Sequence, residues 1–150
     1  MNAMEDFAAS NPDFDKHVQG AVLSMPAAKL LGFHYNYLKP GHREIEQPTR
    51  KELTQHNGYF QGGIIGALAD FAGGSAAGTL LPPGWINMTT DFTVKLIAPA
   101  EGEKLLARGR VINASNNTTV AAADLFAVKQ GKETLCATAL VTMRNIPLKA

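Results

Sequence analysis

Among the ionisable residues of this chain, Asp70 is the one whose setting asks for chemistry. It is the only charged residue in the run GGIIGALADFAGGSAAGTLL, residues 62–81. On a helical wheel, Gly63 to Leu81 separates into a face of large residues and a stripe of small ones. The large face carries Ile64, Ile65, Leu68 and Phe71; Asp70 lies near the middle of a stripe built from Gly63, Gly66, Ala67, Gly73, Gly74, Ala77 and Gly78. Aspartate is a poor helix former, and this one lies too far along the segment to cap its start. It is either a structural group hydrogen-bonded to a neighbouring strand or a working carboxylate. Partial desolvation among small apolar residues is the usual route to a pKa-tuned acid. Just ahead of it, Gln61-Gly62-Gly63 supplies backbone N–H groups at the positive end of the helix, where a developing oxyanion would be stabilised.

Other chemistries are excluded by spacing. His17, His34, His42 and His56 show no zinc-helix pattern, and with Cys136 as the single cysteine no structural metal site is expected. There is no G-x-S-x-G nucleophile elbow, and the glycine-rich helix start lacks both the P-loop lysine and the dinucleotide fingerprint.

The elements that would hold Asp70 follow from the flanking pattern. Asp13 to Leu31 reads as a short N-terminal helix broken at Pro26, with Val18, Val22, Leu23 and Leu30 available to one side. Phe33–Leu38 and His42–Gln47 flank the turn Lys39-Pro40-Gly41, and Pro82-Pro83-Gly84 ends the long helix. From Ile86 the chain alternates, with Met88, Thr90, Phe92, Val94 and Leu96 on one face and Asn87, Thr89, Asp91, Thr93 and Lys95 on the other. Three further strands are predicted at 104–112, 118–128 and 134–143. Four consecutive strands with short connections favour an antiparallel meander, and a sheet wrapped round one long apolar helix is an α+β arrangement. One domain over residues 1–150 is expected, with 1–12 flexible.

The stretch HNGYFQGGIIGALAD, with the later DFTVKLIAPAEGEKLLARGRV, resembles the hotdog-fold acyl-coenzyme A thioesterases of the phenylacetate-pathway type. The resemblance spans most of the chain after Phe33. It implies a hotdog fold, Asp70 as general base or nucleophile, and the Gly62 N–H as oxyanion donor. It also implies that Gln55, or else Asn57, supplies an amide that orients water, and that Thr89 helps to hold the water or the carboxylate. Members usually carry histidine where this chain has Gln61, which forms hydrogen bonds but does not titrate. Coenzyme A enters as the thiol part of the substrate, with no retained cofactor; Gly63, Lys95, Arg108 and Arg110 are the candidate contacts to it. Members often place an arginine or lysine in the turn that here reads Ala114-Ser115-Asn116-Asn117. A hotdog hydratase or a non-catalytic acyl-coenzyme A sensor would use the same fold.

The helix adds a geometric expectation. Gly62 and Asp70 are eight residues apart, about 12 Å along an α-helix, so one carbonyl cannot touch both. If both act on one thioester, they come from two chains of a homodimer or dimer of dimers, with helices packed antiparallel along the small-residue stripe. A net charge of +1 without a basic run argues against nucleic acid. A membrane span over 62–81 would bury Asp70 in hydrocarbon at a cost of several kcal/mol, so none is expected. One cysteine and an acidic, polar start point to a cytoplasmic protein.

Overall fold

A computed structural model describes residues 6–149. Its elements run α1 (Phe14–Leu23), α2 (Pro26–Leu31), β1 (His34–Lys39), β2 (His42–Pro48), a 3-10 turn (Lys51–Leu53), α3 (Gly62–Gly78), β3 (Trp85–Leu96), β4 (Lys104–Ala114), β5 (Thr118–Lys129) and β6 (Lys132–Pro147). The strands form one antiparallel sheet in the order β1-β2-β4-β5-β6-β3, curled around α3. This is the hotdog arrangement. Of the segment expected to be flexible, 1–5 lie outside the described residues; Phe7 lies beside Gly41, and Asn11 is buried.

The expected four-strand meander is corrected to three. β4, β5 and β6 follow one another, but β3 pairs with β6 at the far edge and β4 returns to pair with β2. Close approach of helix and sheet explains why β4 takes the middle. Gly109 passes so near the Ala72 carbonyl that a Cβ there would sit 2.2 Å from the oxygen. Alanines dominate the inner surface beside it, among them Ala107, Ala121 and Ala123. A strand with larger inward side chains would hold the helix away.

Punctuation sets α3. The Gln61 side chain caps its start by accepting from the Ile64 N–H at 3.1 Å, and Pro82 and Pro83 follow its last turns. Ile65 and Leu68 enter a core with Ile45, Leu105, Leu125 and Cys136, while Phe71 packs on Phe33 with ring centroids 4.9 Å apart. Much of the small-residue stripe meets the chain's own elements. Gly73 lies under Val141 and Ala121, Gly66 under Phe92 and Val94, and Gly78 against Val18. Glycine lets those side chains reach the helix backbone from the curled sheet and from α1. Gly66, Gly73 and Gly78 are thus covered within the chain, while Gly62, Gly63, Ala67, Asp70 and Gly74 retain some exposure.

Pro26 breaks the N-terminal helix as expected, standing at the first position of α2. The break also resets the phase, so Leu31 is buried and Leu30, expected on one side with Val18, Val22 and Leu23, is instead 75% exposed.

Candidate active site

Asp70 lies at mid-length of α3 beside the first half of β3. The Thr89 hydroxyl donates to its Oδ1 at 2.7 Å. Simple alternation would put Thr89 on the face opposite Phe92, Val94 and Leu96. A β-bulge between Thr89 and Asp91 inserts Thr90 and reverses the parity. Asn87 and Thr89 therefore face α3, Asn87 donating to the Gly74 carbonyl at 3.1 Å, and so do Phe92, Val94 and Leu96 beyond the bulge.

Burial pushes the Asp70 carboxyl above the ordinary aspartate value, and the Thr89 hydrogen bond opposes part of that rise. No cation among the described residues pairs with it. The result is a partly desolvated carboxylate, oriented by one hydroxyl. Thr89→Val removes the donor that favours the ionised form. The acidic limb of a pH–rate profile, where activity falls as Asp70 becomes protonated, should consequently move to higher pH. A limb that stays in place would dissociate Thr89 from the reacting carboxylate.

At the N-terminus of the helix, the Gly62 and Gly63 N–H groups have no carbonyl one turn back to bond. Gly62 is half-buried and Gly63 exposed. Gln61 at this position is a cap: its amide oxygen is taken by the Ile64 N–H, so the side chain holds the helix start in register. The preceding loop is closed by a Thr54–Phe60 bridge and by the Gln55 N–H donating to the Tyr59 carbonyl. The Gln55 side-chain oxygen accepts from the Asn57 N–H, so Gln55 shapes this turn and Asn57 sits exposed on it. Gln55, Asn57, Gln61, Gly62 and Gly63 thus group at the helix N-terminus. Asp70 and Thr89 form a second group about 12 Å along α3.

The candidate coenzyme A contacts on the strands are not brought to either group. Gly109 faces α3, so its neighbours Arg108 and Arg110 point to the outer face of the sheet. Lys95, between Val94 and Leu96, points the same way. Arg108 is engaged by Glu44 at 2.7 Å and by both oxygens of Glu133 at 2.8 and 2.9 Å, which hold its guanidinium firmly charged. Arg110 pairs with Asp124 at 3.1 Å.

One component has no signal in the sequence. An apolar cleft of about 490 Å³ opens beside Asp70 and Thr89, bounded by α3, the start of β3 and one side of α1. The spacing in α1 marks a helix that packs on something, but not that it packs over the carboxylate.

Comparison with known proteins bears on the family and the fold. The thioesterase superfamily pattern matches residues 57–134. A Halobacterium salinarum protein whose name proposes an esterase is 31% identical over 109 residues, 69% of this chain and 72% of its own. A thioesterase family protein from Silicibacter pomeroyi superposes with a TM-score of 0.87 at 30% identity, covering 89% of this chain and 98% of its own. A Ralstonia eutropha protein, whose name proposes a thioesterase related to phenylacetic acid degradation, superposes with a TM-score of 0.73 at 25% identity, over 87% of this chain and 98% of its own. Among the described residues no helix is long and apolar enough to cross a membrane. By matched sequence, by relatives and by fold, the chain belongs to the thioesterase superfamily.

Proposed function

We propose that the protein hydrolyses an acyl-coenzyme A, or a related pantetheine thioester, in the manner of the phenylacetate-pathway type. The observation that carries this reading is the Asp70–Thr89 pair, a tuned carboxylate facing an apolar cleft large enough for an acyl group. Asp70 takes a proton from a water that attacks the thioester carbon, or attacks it directly to form an anhydride that water then opens. In both routes the carbonyl oxygen gathers negative charge and accepts from the Gly62 N–H. Collapse expels the thiolate, which takes up a proton; the products are a free acid and a thiol. Coenzyme A arrives and leaves as substrate, and the cytoplasm is where such thioesters are met.

Two chains make each site in this reading. β3 is an edge strand of 12 residues with a free hydrogen-bonding side, and it exposes Phe92 and Leu96 beside α3. Such an edge invites a second strand. Thr89, near the middle of β3, lies over Asp70, and Leu96, at its C-terminal end, lies over Gly62. A two-fold axis near Phe92 and Thr93 exchanges these positions, bringing Gly62 of one chain toward Asp70 of the other.

The test is thiol release by the purified protein from a panel of acyl-coenzyme A thioesters differing in length and aromaticity. Turnover of at least one is expected, with an acidic limb above the ordinary aspartate range. Tight binding without any release would favour a non-catalytic acyl-coenzyme A sensor.

A further inference from the structure

We propose that the cleft beneath α1 is the acyl subsite, that it takes an uncharged, apolar acyl chain, and that α1 sets the length limit. The proposal rests on the thioesterase reading for the word acyl, but its structural basis is separate. The outer wall is the α1 side carrying Ala21 and Val22, continued by Met25; the inner wall includes Phe71, Ile86 and Met143. Two of its wall side chains pack directly on the backbone of α3. A Cβ at Gly74 would come within 3.2 Å of Met143 Cε, and one at Gly78 within 3.3 Å of Val18 Cγ2.

The polar groups on the walls are already occupied. His17 Nε2 donates to the Trp85 carbonyl at 3.1 Å, the Ser75 hydroxyl is 2.7 Å from the Tyr35 hydroxyl, and Asn87 donates to Gly74. No lysine or arginine is among the described residues that line the cleft. A second carboxylate on the acyl group would find no partner there and would approach Asp70, a like charge.

The wall is held from below at its N-terminal end. Arg43, 1% exposed, lies 3.9 Å over the Tyr35 ring, and its Nη1 is 3.6 Å from Asp15 on α1. The C-terminal half, with Ala21, Val22 and Met25, has apolar contacts in place of such an anchor, so bulk at these positions should change the space available to the chain.

The experiment compares acetyl-, octanoyl-, dodecanoyl- and succinyl-coenzyme A. The wild-type protein should favour octanoyl over both acetyl and succinyl in kcat/KM. Ala21→Trp, at an exposed helix position that lines the cleft, should lower the octanoyl-to-acetyl ratio by about tenfold or more, the effect of one or two methylenes refused. Met25→Ala should act in the opposite direction and raise the dodecanoyl-to-octanoyl ratio, a gain that general damage to the fold would not produce. The same affinity ratios, measured by calorimetry in an Asp70→Asn background, test the subsite even if the wild type releases no thiol. Loss of catalysis and loss of the subsite are therefore read separately. Succinyl accepted as well as octanoyl, or ratios unmoved by both substitutions in a melting, folded protein, overturns the proposal.

Discussion

Replacing Asp70 by asparagine should remove nearly all thioester hydrolysis and leave the fold in place. The change keeps the shape, and the Thr89 hydroxyl can still donate to the remaining carbonyl oxygen 19 residues away in sequence. What is lost is the proton acceptor or nucleophile, for which a decrease of about 10²–10⁴-fold is expected. Stability should move the other way. An aspartate whose carboxyl is raised by burial binds a proton more tightly in the folded than in the unfolded chain. Its ionised form consequently opposes folding above the folded-state pKa, and that opposition fades as pH falls through it. The asparagine variant should melt no lower than the wild type at neutral pH, and any advantage should shrink in acid. Thermal melts across pH, alongside thiol-release rates, check both halves. A rate within a few-fold of wild type would end the catalytic assignment, while loss of the cooperative melt would make Asp70 a structural residue.

Mixing two inactive variants should restore about a quarter of wild-type activity. The pair is Asp70→Asn and Gly62→Pro, and the second is tolerable for local reasons. Proline is allowed in the first turn of a helix, and Gln61 already has the extended conformation that a residue before proline adopts, with φ −68° and ψ 139°. The nearest atom to a new Cβ at Gly62 is the end of the exposed Leu96 side chain, at 3.0 Å. After co-refolding and random pairing, half the dimers hold one chain of each kind. In each of these, one site has both defects and the other has neither. Recovery measured on verified mixed dimers supports sites shared between chains. No recovery there would place the whole site within one chain, or remove one of the two groups from the chemistry.

Much of the candidate site was legible because its signals are local. Asp70 stood out as the lone charge in an apolar helical run, and the Gln61-Gly62-Gly63 start and the Pro82-Pro83 stop bound that run. The Thr89 contact was legible only as an implication of the family resemblance. Alternation alone placed Thr89 with Lys95, and one inserted residue at the bulge undid it. Periodicity counts residues along one strand; it carries no information about where the partner strand forces an extra one.

By itself, the sequence determined which segments become helix and strand, that a single carboxylate would ride on the central helix, and the α+β class. These depend on side-chain period, caps and turn residues acting within a few positions of one another. Only the tertiary structure decided that β4 lies between β2 and β5, that the glycine stripe receives the chain's own sheet, and that α1 walls a cleft beside Asp70. It likewise decided that Arg108 is tied to Glu44, 64 residues away. Each of these is set by contacts between distant parts of the chain, where the fit of small residues under a curled sheet selects among pairings that local patterns leave equal.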